Sequence, residues 1–424
     1  MPMNCIKEMS SRVKETLKPR VSPCFSLCTL ALVAAGALAS FSASAQPRYT
    51  PSDASVVLPV SVHAQGSQAG SLRALDSAWR RNPQDQQAAL AYARAVFLIG
   101  LTEGDLRWFG SAKAALAPWW NSAQLPAEGH FLRGLVKQGF HAFDDGLKDI
   151  DMAIALERKR PEFWSWRFAL HLLLADIPAA RKDCTEIGNL FGRDEAKGCT
   201  AILAYRTGQA AQAVELLKAA VVLPGFQDPL SQDWLRFHLG EALRTAGRYA
   251  EAVALWEQHL KARPQSHLVR LALVELLNLQ GQPAKAKKYA STAAPTDALL
   301  VQALLASRAL QDGDTARLAD LFEGRMSSQA LRQETLIERP KLIYLIRYGK
   351  DPAAGLQLSV ANWKIQNEPP DALLFVEAAI LQKQPRAAAP VVAWAEKTAY
   401  ADPQLTPLLQ KLKSLPGWQA GAEK

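Results

Sequence analysis

A chain of 424 residues, 49% hydrophobic and 21% charged, is long enough to bury an extended core and too apolar to remain disordered. Its formal charge of +9 is spread along that length without the clustered Lys/Arg stripe that nucleic-acid binding demands, so nucleic acid is not an expected partner.

The first element in the chain is a basic segment with Lys7, Arg12, Lys14, Lys18 and Arg20. An apolar run from Phe25 to Phe41 follows, and then Ala43-Ser44-Ala45 before Gln46. That order predicts a secretory signal peptide over 1–45, cleaved after Ala45. An uncleaved inner-membrane anchor is the alternative, although 17 apolar residues, several of them small, are short for a span. Cys28 follows Phe-Ser-Leu, a poor lipoprotein site. Positive charge before the apolar run sends the remainder outward, which predicts a periplasmic or secreted protein. Without residues 1–45 the charge falls from +9 to +6.

Residues 46–69, rich in Ser, Pro, Gly and Gln, read as an extended or disordered leader. The one alternating apolar stretch, Ser55–Val62, is short and carries Pro59. From 70 to 412 apolar residues recur at three- and four-residue steps, as in Leu239, Leu243, Ala252, Leu255, Trp256 and Leu260. Residues 413–424 read as a flexible tail.

Within the helical region one hexamer recurs. Gly247-Arg248-Tyr249-Ala250-Glu251-Ala252 returns 34 residues later as Gly281-Gln282-Pro283-Ala284-Lys285-Ala286, and 39 residues earlier as Gly208-Gln209-Ala210-Ala211-Gln212-Ala213. Weaker copies start at Arg73, Arg107, His141, Ala175, Gly313, Lys350 and Lys383. The sixth position is Ala or Gly in every copy except at Leu318, as a close helix–helix crossing requires: Ala78, Ala112, Gly146, Ala180, Ala213, Ala252, Ala286, Gly355 and Ala388. Pro83, Pro161 and Pro264 follow second helices as punctuation. The long interval contains an insertion, Val222–Gln232, which could shift the stacking or cover part of an inner face.

This pattern resembles the tetratricopeptide repeat. Leu239-Gly240, Ala252, Trp256 and Pro264 stand at the family's Leu-Gly, small, aromatic and closing-proline positions. Arg236, Leu243 and His259 depart from it. The resemblance implies an all-α, right-handed superhelical α-solenoid of about nine to ten stacked antiparallel helix pairs, of the exported bacterial type. It also implies that the first helix of each pair lines a concave groove. The first unit would keep only its second helix, as a cap.

Cys184 and Cys199 are the only cysteines outside 1–45, and an even pair in an exported chain reads as one disulfide. Two buried free thiols are the alternative. The resemblance places these residues on neighbouring helices, so a bridge would staple adjacent units.

No HExxH, P-loop, G-x-S-x-G or G-x-G-x-x-G is present, and no catalytic residue, metal site or cofactor is expected. His141 with Asp144 and Asp145 is the nearest approach to a metal cluster and reads better as a solvated turn. His259 and His267 read as structural. The Trp pairs Trp119/Trp120 and Trp164/Trp166 are either core or ligand-facing. By phase in the family's hairpin, the groove candidates are Trp234, Phe237, Glu241 and Arg244 in one unit. In the next they are Leu268, Leu271, Glu275 and Asn278.

The favoured function is a non-catalytic periplasmic scaffold binding a protein or peptide partner in its groove. The alternatives are a binding module for a cell-envelope polysaccharide or its export machinery, through exposed Trp, and an enzyme with a site hidden between helices.

Overall fold

The structure is a computed structural model; it describes residues 67–291, 295–331 and 339–418. The expected signal segment, nearly all of the expected leader and the last residues of the expected tail lie outside that range, and so does Ser55–Val62. The described residues form twenty α-helices and no strand.

In chain order the helices are α1 (Ser67–Arg81), α2 (Gln86–Glu103), α3 (Arg107–Leu116), α4 (Ala127–Gly139), α5 (Phe143–Leu156), α6 (Pro161–Leu173), α7 (Ile177–Phe191), α8 (Arg193–Arg206), α9 (Ala210–Val221) and α10 (Pro229–Thr245). There follow α11 (Tyr249–Ala262), α12 (His267–Leu279), α13 (Pro283–Ala290), α14 (Asp297–Leu310), α15 (Thr315–Leu331), α16 (Arg339–Ile346), α17 (Pro352–Trp363), α18 (Pro369–Leu381), α19 (Ala389–Thr398) and α20 (Leu405–Ser414). Helix α1 stands alone, α2 to α19 make nine hairpins, and α20 closes the stack.

The turn inside each hairpin has one recurring requirement. One residue takes a left-handed conformation, with φ between 54° and 80°, at Gly104, His141, Ala175, Gly208, Gly247, Gly281, Gln311, Gly349 and Lys383. A glycine adopts this at little cost, whereas the four side chains that occupy it pay a steric penalty. The repeat seen in the sequence is therefore the spacing of these turns. Starts are marked by Asp85, Asp176 and Asp351, whose carboxylates accept from backbone amides, and by prolines at the first helical position.

The small residues sit at the crossings. Ala112, Ala180, Ala213, Ala252, Ala286 and Ala388 are fully buried, and Gly134 and Gly146 face one another so closely that a Cβ on either would meet the other's carbonyl oxygen at 2.9–3.0 Å. Gly240 serves another partner. The Trp256 ring lies against it, and a Cβ there would be 2.0 Å from the ring. The indole N–H donates to the Arg236 carbonyl at 3.0 Å. The Leu-Gly of α10 is thus the bed for the Trp of α11.

The Val222–Gln232 insertion forms a short 3-10 turn (Pro224–Phe226) and the start of α10. Phe226 is buried, and the Gln227 and Gln232 amides donate to carbonyls of Val221, Leu223 and Phe226, which closes the end of α9. Cys184 on α7 and Cys199 on α8 are joined by a disulfide, with Cα atoms 5.6 Å apart, so the staple links two successive units.

Units five or six places apart touch. A Cβ at Gly104, in the α2–α3 turn, would be 2.5 Å from the His267 ring at the start of α12. The amide of Asn367 donates to the Leu173 carbonyl at 2.9 Å, Arg206 lies 3.7 Å from Glu368, and Gly208 abuts the Ala399 carbonyl. The hairpin turns of the early units are therefore covered by the first-helix N-termini of later ones, and the coil's second turn is seated on its first.

Candidate functional site: an interior cavity with an unpaired carboxylate

The closed coil changes what the predicted groove residues face. Trp234 is 3% exposed and packs edge-on against His238, with ring centroids 4.5 Å apart. Phe237 flanks the same imidazole at 4.9 Å. His238 is itself buried, bonded to the Tyr205 hydroxyl at 2.8 Å and held neutral, its pKa well below the ordinary range because burial penalises the charged ring. Trp234 and Phe237 are thus packing residues of α10, not a stacking platform for a ligand. Asn278 donates to the Gln302 backbone carbonyl at 2.9 Å and to its side-chain oxygen at 2.8 Å, pinning α12 to α14. Leu268 is 38% exposed at the start of α12, while Leu271 is partly buried against the core.

The remaining three candidates meet. Glu241 and Arg244 from α10 and Glu275 from α12 line one small cavity of about 70 Å³, with Arg339, Ile343 and Arg347 from α16, Pro370, Leu373 and Leu374 from α18, and Gln404 just before α20. Ala272, Leu276 and Leu279 complete an apolar wall on the α12 side, and Leu279 is 43% exposed at its edge.

The charges around this cavity form a network. Arg244 bonds Glu241 through two nitrogens and reaches Asp402 at 3.0 Å. Burial opposes its charge, yet Glu241, Tyr400 and Asp402 hold it more firmly protonated than usual. Arg339 forks onto Asp371 and also bonds Glu368, each at 3.0 Å. Arg347 forks onto Glu377 at 2.8 and 2.9 Å. These bidentate pairs are the strong form of the guanidinium–carboxylate contact.

Glu275 is the exception. Among the described residues it has no hydrogen bond or ion pair, although Arg339, Arg347, Arg244 and Glu241 all act on it through space. Its pKa is raised, first because burial removes water from the carboxylate; Glu241 adds to the rise, and the three guanidinium groups only partly offset it. The residue is partly exposed, so the carboxylate keeps some contact with water, and the sequence phase that put it on the inner face did not reveal that it lacks a side-chain partner. Arg339, Arg347, Glu368, Asp371 and Asp402 escaped the sequence reading. The signal available was the placement of charges next to prolines in "IERPKL", "NEPPDA" and "YADPQL", at the starts of first helices.

The other candidates fall elsewhere. Trp164 and Trp166 are buried in the core, and Trp120 lies under the ammonium groups of Lys113 and Lys137, at 5.4 and 6.0 Å. His141 occupies a hairpin turn, stacked on Phe143, and Asp145 pairs with Lys148. His259 bonds Asp233 at 2.6 Å, a contact shared with Arg263 that ties α11 to α10. Among the described residues no group of three or more His, Cys, Asp or Glu is placed to hold a metal ion, and no helix is long and apolar enough to cross a membrane.

No known family profile matches the chain, and no curated protein matches its sequence. Its likenesses are to solved structures. A Rap protein complexed with competence and sporulation factor is 12% identical, with 81% of this chain and 92% of that one covered and a TM-score of 0.44. A tetratricopeptide repeat protein from Parabacteroides merdae ATCC 43184 is 13% identical over 77% and 99%, with a TM-score of 0.31. Yeast Tom70 is 12% identical over 82% and 57%, at 0.32. The fold is a tetratricopeptide-like helical solenoid. That statement rests on the hairpins, turns and crossings above, since similarity this distant adds nothing about function.

Proposed function

We propose that this chain is an exported, non-catalytic helical-repeat scaffold that binds a peptide segment of a partner protein at its inner face. The observation that carries the reading is the cavity between α10, α12, α16 and α18, where apolar walls surround a carboxylate with no partner of its own. A charged group with no side-chain partner, in a pocket beside an exposed leucine, is a place where a ligand can replace water with a charge-assisted hydrogen bond. Buried Trp164, Trp166 and Trp234 speak against a polysaccharide platform built from aromatic faces. Export is supported by the order of basic, apolar and small residues over 1–45, and a Cys184–Cys199 disulfide suits an oxidising compartment.

The test is a photo-crosslinking residue at Leu279, on the cavity's edge, in the full chain expressed in cells that are then fractionated. The reading expects a discrete crosslinked partner in the exported fraction from position 279 and none from Met152, an exposed position on α5. Equal crosslinking from both positions, or a chain retained in the cytoplasm with free thiols, would sink it.

A further inference from the structure

We infer that the cavity recognises a primary alkylamine, supplied by a lysine side chain of the bound peptide, with Glu275 as its counter-ion. This deepens the scaffold reading and rests on it. The argument begins with the charge balance. The network joining the cavity walls contains four guanidinium groups, Arg206, Arg244, Arg339 and Arg347. They face six carboxylates, Glu241, Glu275, Glu368, Asp371, Glu377 and Asp402. Five of the carboxylates are engaged by arginines, and the excess of negative charge includes Glu275, the one without a contact.

An anionic ligand would enlarge that excess. It would also have to compete for guanidinium groups already forked onto their own acids. A cation corrects the balance and supplies the hydrogen bonds that Glu275 lacks. The groups facing Glu275 are Arg339 and Arg347 from α16 and Arg244 and Glu241 from α10, and each of these arginines is already neutralised by its own carboxylates.

Shape then selects among cations. A half-open cavity of about 70 Å³ exceeds what one water needs and receives a side chain entering end-on. Its approach is aliphatic, with Leu276, Leu279, Ile343, Leu373 and Leu374 along the wall. A lysine fits both features, since its alkyl stem packs on apolar surface while its compact ammonium carries the charge.

The experiment titrates the purified exported chain with acetyl-Leu-Lys-Leu-amide, with its norleucine counterpart and with 1,5-diaminopentane, by calorimetry at neutral pH. The lysine peptide is expected to bind about 10-fold or more tightly than the norleucine peptide, as a charge-assisted hydrogen bond provides, and Glu275→Gln is expected to erase the difference. Glutamine keeps the shape of glutamate, and the thermal transition of the variant verifies its fold. Equal binding of the two peptides, or a preference that survives Glu275→Gln, overturns the inference. Diaminopentane binding as tightly as the lysine peptide, with the same dependence on Glu275, overturns the assignment to a peptide and leaves a free-amine site. Crosslinking from Leu279 that is unchanged in Glu275→Gln, together with no lysine preference, would leave the scaffold reading standing and remove only this one.

Discussion

Arg244 on α10 and Asp402, 158 positions further along the chain, form an ion pair at 3.0 Å, with the Asp402 side chain fully buried. The contact crosses from one turn of the coil to the next. It explains why a residue whose phase points to an open groove is unavailable for one. Removing one partner of a buried pair leaves the other charge uncompensated, at about 3–5 kcal/mol. Arg244→Ala is therefore expected to lower stability by that order and to speed hydrogen exchange in α20 while α4 to α7 stay protected. Binding changes in that variant would reflect undocking of the C-terminal unit.

Gly240 and Trp256 make a second, local prediction. A methyl group at position 240 would lie 2.0 Å from the indole, so the ring must leave its bed and abandon its bond to the Arg236 carbonyl. Gly240→Ala is expected to destabilise by about 3 kcal/mol, comparable to deleting a large core side chain, despite the better helix propensity of alanine. Chemical denaturation with Trp fluorescence reads it; a neutral or stabilising result would contradict the packing described.

His267 gives a pH dependence. Burial, with Arg270 adding repulsion, holds its pKa down to about 4, against an ordinary value of 6.5. The unfolded chain takes up a proton below 6.5 while the folded chain stays neutral, so stability is full above that value and lost as pH falls toward 4. The loss is at most about 3 kcal/mol. His267→Asn is expected to flatten the fall in stability between pH 7 and 4, measured by denaturant titration at each pH. An unchanged slope would show that the ring is solvated and the α2–α12 contact loose.

Glu275 works in the opposite sense. Its raised pKa means that the folded state holds its proton to higher pH than the unfolded state does. Its ionisation therefore costs stability as pH rises from the unfolded value through the folded one. Glu275→Gln is expected to raise the melting temperature at pH 7 and to leave it unchanged near pH 4. A gain in stability with a loss of ligand is the signature of a group kept for binding. A lower melting temperature at pH 7 would instead make Glu275 a structural residue.

The repeat was legible because two local demands recur along the stack, a left-handed turn residue in every hairpin and a small crossing residue in every hairpin but that of Leu318. Where glycine meets the first, as at Gly208, Gly247 and Gly281, the copies stand out. Where His141, Ala175, Gln311 or Lys383 bears the strain, the copy fades. The inner face was legible only by phase: Glu241, Arg244 and Glu275 do share a cavity, whereas Trp234 and Phe237 do not reach it. Closure of the coil was hidden for a physical reason. It is the sum of small rotations over five or more units, and no single hairpin encodes that sum. The residues that complete the cavity and hold its arginines, Arg339 and Asp402 among them, belong to units whose own sequence match is weak.

Closure of the coil underlies the whole account, and a double-mutant cycle on Arg244 and Asp402 tests it most directly. Stabilities of the parent, Arg244→Ala, Asp402→Ala and the double variant give the coupling between the two side chains. The account expects a coupling of about 2 kcal/mol or more, with the double variant little worse than either single one. Additive losses would show that the two residues do not meet and that the inner face is an open groove.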